Sequence, residues 1–242
     1  MNEKLYAIPV NDAFDAVCEC PICRMYKTLE DDAIAYTMGP SYMEDDTRAQ
    51  TDAKGFCTRH MEMIYANGNK LGIGLIMKTH LDKIIASTEG LSELGATKKG
   101  LFSKPNPEDA SDLVKKLEEF NHSCFVCDRI HHFFERYIDT IFYLYTKDTT
   151  FAKKFQECRG FCLKHTQLLL TEAPKHLHGA EYEAWVTLVK NLFIENMKRM
   201  RDDVEWFTDK FDYRNQDAPW KNSKDAIPRG MTKIASILVE EP

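Results

Sequence analysis

The chain has 242 residues, of which 43% are hydrophobic and 29% are charged, and its formal net charge is −6. These values are those of an ordinary soluble globular protein, long enough for one large core or two smaller ones. Because general binders of nucleic acid or of anionic membranes are usually basic, the acidic balance disfavours both classes.

The predicted elements are all helices, marked by apolar residues at three- and four-residue steps. Gly39-Pro40 is typical of a helix end, and the Gly-, Ser-, Lys- and Pro-rich residues 90–109 are typical of a linker. The sequence shows no strong strand-like alternation, so we expect an all-α fold. In chain order, the predicted helical segments are 26–37, 61–66, 71–85, 112–120, 126–145, 168–171, 185–211 and 227–238.

Two sets of cysteines and histidines recur along the chain. The first copy reads Cys-Pro-Ile-Cys at 20–23 and Gly-Phe-Cys-Thr-Arg-His at 55–60; the second reads Cys-Phe-Val-Cys at 124–127 and Gly-Phe-Cys-Leu-Lys-His at 160–165. An internal duplication is the economical explanation. We expect metal-binding helical repeats at 1–90 and 112–215, a linker at 91–111, and a tail with a short helix at 216–242.

The repeated residues have the spacing of metal ligands. Two cysteines separated by two residues can aim both sulfurs at one ion, and a Cys and a His three positions apart share a helix face. Three thiolates and one imidazole form a closed tetrahedral zinc site, which stabilises rather than catalyses. We predict two zinc ions, one in each copy, bound by Cys20, Cys23, Cys57 and His60 in the first and by Cys124, Cys127, Cys162 and His165 in the second.

Other interpretations of the same pattern stay open. The Cys-x-x-Cys of one copy can join the Cys-x-x-His of the other, which changes the connectivity and keeps the ligand set. The same ligands can hold an iron–sulfur cluster. The Cys-x-x-Cys pairs can act as redox dithiols, although the βαβ context of such motifs is missing. Without a metal, the eight residues would be small buried hydrophobes and core histidines.

Five further residues are weaker candidates for a functional site. Cys18 and His122 each stand two residues before a Cys-x-x-Cys, which suggests a fifth ligand, but an inert thiol and a surface imidazole are more common. His131 and Glu135 lie one turn apart on a predicted helix, where a solvated face is more common than a proton-transfer pair. Cys158 has no counterpart in the first copy, and we assign it no role.

The chain resembles a duplicated bacterial family of uncharacterised proteins, a domain of unknown function. The resemblance rests on Cys-Pro-x-Cys-Arg at 20–24, on the two Gly-Phe-Cys-x-x-His motifs, on the aromatic segment 206–214, and on Pro219-Trp220 followed by Lys224-Asp225-Ala226. It covers nearly the whole chain. It implies that the duplicated chain is one unit, and it implies no activity.

These observations favour a zinc-binding helical protein that acts as a non-catalytic scaffold or interaction module with a protein partner. Residues 1–10 lack a secretory signal, and no stretch approaches the ~18 apolar residues of a membrane span. We therefore expect a cytoplasmic protein without membrane binding, in a reducing compartment where eight cysteines act as ligands or redox groups. The alternative functions are an iron–sulfur or thiol redox protein and an enzyme with a pocket between the two copies.

Overall fold

The computed structural model describes residues 6–89 and 111–239, and every regular element within these ranges is helical. The predicted all-α fold is confirmed. Short 3-10 helices cover Pro40–Met43 and Tyr213–Asn215. The α-helices are α1 Ala7–Asp15, α2 Pro21–Met38, α3 Asp45–Lys54, α4 Thr58–Asn67, α5 Lys70–Glu89, α6 Ser111–His122, α7 Phe125–Lys147, α8 Thr149–Glu157, α9 Leu163–His176, α10 Gly179–Asp209 and α11 Ala226–Ala235.

Most predicted helices appear close to their expected positions, and helices α1, α3 and α8 appear where no helix was predicted. Helix α2 ends at Met38, directly before Gly39-Pro40, as predicted. Helix α9 continues through Pro174 for two more residues, because a proline in the last turn removes only one backbone hydrogen bond. Helix α1 was not predicted, although its buried residues Val10, Ala13 and Phe14 have helical spacing. The predicted linker lies outside the described residues except for its last position, where α6 begins.

The chain divides into two compact units. Unit 1 takes in the described residues up to Leu29 and from Phe133 onwards, and it has an aromatic core. The buried Trp185 ring lies 4.7 Å from the rings of Phe142 and Phe155. Such aromatic pairs contribute about 1 kcal/mol each beyond their buried area. Phe161 packs on the same core, 5.2 Å from Phe155, and so fixes the backbone directly before Cys162.

Unit 2 takes in the described residues between Glu30 and His132. Helices α3 and α4 pack on α5 in this unit. The buried side chains include Ile34 and Met38 of α2, Ile64 of α4 and Ile76 of α5. In the described parts of the chain, no helix has both the length and the apolar character needed to cross a membrane.

Candidate metal centres

The eight predicted ligands come together as two clusters of three thiols and one imidazole. Within each cluster, the candidate ligand atoms all lie within 4.8 Å of one another. Each cluster combines the Cys-x-x-Cys of one copy with the Cys-x-x-His of the other, which corrects the interpretation that each copy forms a cluster by itself. Cluster 1 consists of Cys20, Cys23, Cys162 and His165, and cluster 2 consists of Cys57, His60, Cys124 and Cys127.

The crossed arrangement follows the division of the chain into two compact units. All four members of cluster 1 belong to unit 1, and all four members of cluster 2 belong to unit 2.

Four of the eight candidate ligands lie at the start of a helix. Cys57 and Cys162 are the N-cap residues of α4 and α9, and Cys20 and Cys124 directly precede α2 and α7. Three of these sulfurs accept a backbone N–H three residues ahead, each at 3.4 Å. The amides and the partial positive charge of a helix start favour thiolate over thiol, which is the metal-binding form.

In cluster 1, the imidazole turns its Nδ1 atom towards the sulfurs. His165 Nδ1 lies 3.5 Å from Cys20 Sγ, 3.3 Å from Cys23 Sγ and 3.2 Å from Cys162 Sγ. The Sγ atoms of Cys23 and Cys162 are 3.6 Å apart. All four residues are buried.

Cluster 2 has nearly the same geometry. His60 Nδ1 lies 3.3 Å from the Sγ atoms of Cys57, Cys124 and Cys127 alike. The sulfurs of Cys57 and Cys127 are 3.8 Å apart. Here only His60 and Cys124 are buried, and the other two cysteines are partly exposed.

These separations fit one tetrahedral ion of the size of zinc. With Zn–S bonds of about 2.3 Å and a Zn–N bond of about 2.05 Å, the sulfurs of a tetrahedron lie about 3.8 Å apart and the nitrogen about 3.6 Å from each sulfur. One S···S distance in each cluster, 3.6 and 3.8 Å, matches this value, and the N···S distances of 3.2 to 3.5 Å are slightly shorter than in the ideal tetrahedron. A cluster of several irons would spread the sulfurs more widely, because its thiolates bind different iron atoms.

A buried carboxylate supports the imidazole of cluster 2. Glu30 Oε1 lies 3.3 Å from His60 Nε2, so an N–H at Nε2 leaves Nδ1 free to face the sulfurs. Arg59 donates two hydrogen bonds of 2.7 Å to the same carboxylate. Burial opposes the charge of Glu30, yet the hydrogen bonds from His60 and Arg59 lower its pKa to about 2.

The pKa values in cluster 2 favour charge on Cys124 and His60, whereas burial and the neighbouring Cys124 raise the pKa of the Cys127 thiol. Burial opposes charge on the Cys124 sulfur, but the hydrogen bond from His60 lowers the pKa of this thiol to about 6. Burial likewise opposes protonation of His60, yet Cys124 and Glu30 raise the pKa of the imidazole to about 10. These shifts favour the thiolate form of Cys124, which is the form that binds a metal ion.

The imidazole of cluster 1 has a different environment. His165 Nε2 is buried and makes no hydrogen bond with the described residues. Instead, Ser236, the C-cap residue of α11, contacts one of the sulfurs, with its Oγ 3.1 Å from Cys162 Sγ. Lys233, also from α11, is fully buried; its ammonium donates to the backbone carbonyls of Glu19 and Arg159 and lies 3.4 Å from the Glu19 carboxylate.

In each cluster, a side chain links the backbone segments that precede the two ligand motifs, and the linking residue differs between the clusters. In cluster 2, Ser123 Oγ donates a 2.6 Å hydrogen bond to the carbonyl of Lys54, which links the two motifs directly. The corresponding positions of cluster 1 are Glu19 and Arg159, and Lys233 binds both of their carbonyls. No sequence motif marks Lys233, since its role depends on how α11 packs in unit 1.

The glycine of each Gly-Phe-Cys-x-x-His motif has a backbone conformation that L side chains rarely adopt. The φ angle is +58° at Gly55 and +71° at Gly160. A Cβ atom at Gly55 would lie 2.3 Å from His80 Nε2, and one at Gly160 would lie 3.1 Å from the Leu192 carbonyl oxygen. Glycine is therefore required here for both conformation and space.

The other candidate residues do not join the clusters. Cys18 Sγ lies 3.9 Å from the Ala13 carbonyl oxygen, and His122 is exposed at the end of α6. Burial raises the pKa of Cys158 to about 11, which keeps it a thiol at neutral pH. His131 and Glu135 are exposed on α7, as the prediction of a solvated face requires.

Comparison with known proteins places the whole chain in one family. A search of curated proteins and a search of solved structures each found no match. Residues 1–241 match a family described as of unknown function, DUF6062. The match agrees with the resemblance drawn from the cysteine motifs and the late aromatic segment. The chain therefore belongs to the DUF6062 family, whose function is unknown.

Proposed function

We propose that this chain binds two zinc ions, one in each cluster, and that the ions stabilise a duplicated helical scaffold for protein–protein interaction. The observation that carries the proposal is that three sulfurs and one imidazole nitrogen lie within 4.8 Å of one another in each of two clusters, close enough to bind one ion. Four protein ligands fill the tetrahedron, which leaves no position for a reacting water. The role of such a site is structural.

The surroundings of the ligands also support metal binding. Each His presents Nδ1 to the sulfurs, and in cluster 2 the Glu30 carboxylate orients the imidazole from behind, an arrangement common around zinc-bound histidines. Zinc with three thiolates and a neutral imidazole carries one net negative charge. The buried ammonium of Lys233 is well placed to balance this charge beside cluster 1.

Exposed aromatic residues support the proposal that the chain binds a protein partner. Phe211 and Tyr213, directly after α10, expose 73% and 82% of their surface. Large apolar side chains exposed side by side are typical of interaction sites. We propose that the scaffold acts in a cytoplasmic, reducing compartment, where thiols stay free to bind metal.

Metal content is the direct test. Mass-spectrometric metal analysis of the purified full chain is expected to find two zinc ions per molecule, together with an optical spectrum that has no visible absorption band. The Cys18→Ser Cys158→Ser variant is the matched control and should keep both ions. Stoichiometric iron with a broad band near roughly 400 nm would contradict the zinc assignment and favour an iron–sulfur protein.

Removal of the Glu30 charge should weaken cluster 2 selectively. We expect Glu30→Gln to lower the zinc affinity of this cluster by about 10- to 100-fold, because the carboxylate that orients His60 is lost. Competition with a chromophoric chelator measures the affinities of both clusters. Asp32→Asn, an exposed carboxylate on the same helix, should leave both affinities unchanged. Equal affinities for Glu30→Gln and the unmodified chain would contradict the role of Glu30.

A further inference from the structure

The two clusters differ in their access to solvent. Every member of cluster 1 is buried, whereas Cys57 and Cys127 of cluster 2 are partly exposed. On cluster 1, Ser236 contacts the Cys162 sulfur and Phe134 lies 5.9 Å from the His165 ring. The two partly exposed cysteines of cluster 2 are also close together, with 3.8 Å between their sulfurs.

We propose that cluster 2 is an oxidation site, at which a hydroperoxide converts Cys57 and Cys127 into a disulfide and the metal ion is released, while cluster 1 keeps its ion. The proposal rests on the proposed function, because it requires both clusters to be loaded. Zinc-bound thiolates keep a nucleophilic lone pair, and solvent access decides which of them meets a small oxidant. The two clusters have the same types of ligand, but their difference in burial makes cluster 2 reactive and leaves cluster 1 inert.

The reaction balances in two steps. The sulfur of one exposed thiolate attacks hydrogen peroxide; an S–O bond forms, the O–O bond breaks, and the departing hydroxide takes a proton to give water. The second thiolate then attacks the sulfenic sulfur, forms the S–S bond and expels a second hydroxide, which is protonated to water. The two sulfurs lose two electrons in total, and the peroxide gains them.

Loss of the ion follows from the change in ligands. A disulfide has no charged sulfur, so the ion in cluster 2 keeps only His60 and Cys124 and dissociates. The sulfurs must approach from 3.8 Å to about 2.05 Å, a movement of less than 2 Å. A dithiol reductant would reverse the oxidation by thiol–disulfide exchange and let the cluster bind zinc again.

The test uses the full chain loaded with two zinc ions, in the Cys18→Ser Cys158→Ser background, which removes the other thiols. Hydrogen peroxide is added and released zinc is followed with a chromophoric indicator. We expect one ion per chain to leave at least about tenfold faster than the second, since only one cluster has accessible thiols. Peptide mapping without reduction should then find Cys57 linked to Cys127, and Cys20, Cys23 and Cys162 unmodified.

The possible results separate the two proposals. A purified chain that binds no zinc would refute the proposed function itself. A chain with two ions that releases both at one rate, or neither, would refute the oxidation site and leave the zinc scaffold in place. A Cys124–Cys127 disulfide would refute the assigned pair. Rebinding of one zinc ion per chain at cluster 2 after addition of dithiothreitol and zinc would support reversible oxidation there.

Discussion

Replacement of Cys20 and Cys57 together by serine is expected to leave the chain without a tightly bound ion, whereas replacement of Cys20 and Cys162 is expected to leave one. The reason is the crossed arrangement, in which Cys20 and Cys57 belong to different clusters and Cys20 and Cys162 to the same one. Ligands paired within each copy would give the reverse result. Metal analysis of the two variants, each with two serines, therefore tests the connectivity directly.

The same pair of variants should differ in stability. A structural zinc site can contribute about 10 kcal/mol to folding, as much as the whole stability of many domains. We expect the chain without ions to lose its cooperative thermal transition, and the variant with one ion to keep a transition in unit 2. Circular dichroism measures both. Equal melting of the two variants would contradict metal-dependent stability.

Replacement of Lys233 by methionine is expected to destabilise the protein by about 3 kcal/mol and to lower the zinc affinity of cluster 1. The substitution leaves the carbonyls of Glu19 and Arg159 without their buried donor, and it removes a cation from the buried Glu19 carboxylate. Both carbonyls belong to the backbone that presents the cluster 1 cysteines. Chemical denaturation and chelator competition give the two quantities.

Lys210 provides a matched control for this experiment. It is also buried, and its ammonium donates to the carbonyls of Asn215, Gln216 and Ala218, which precede α11 and are not part of either cluster. Lys210→Met should therefore destabilise the protein without changing either zinc affinity. A loss of cluster 1 affinity in both lysine variants would show that Lys233 acts only through general stability.

The helical fold and the two Cys₃His groups could be predicted from the sequence, but the way in which the groups connect could not. The spacing of the motifs does not decide which ones pair, because doubling the length of the loop that a cluster closes costs only about 0.6 kcal/mol. Roughly 33 residues separate the motifs within a copy, and 139 separate Cys23 from Cys162, so the crossed loop costs about 1 kcal/mol more. The packing of the helices into two compact units decides the connectivity instead, since each cluster lies wholly within one unit.

The supporting residues were harder to predict for a related reason. Local signals, such as helix periodicity and the glycine before each Phe-Cys, act over a few residues and can be seen in the sequence. Lys233 lies 214 residues from Glu19 and 74 residues from Arg159, the two residues whose carbonyls it binds beside cluster 1. Glu30 lies 30 residues from His60. Only the packed helices bring these charges to the ligands.

The crossed connectivity also sets an order of assembly during synthesis. Cluster 2 has all its ligands once Cys127 has been made, whereas cluster 1 must wait for His165. At about 5–20 residues per second, the ribosome needs some seconds for the stretch between them. Although Cys20 and Cys23 are synthesised first, their cluster is completed last. We therefore expect the nascent chain to bind its first zinc ion at cluster 2.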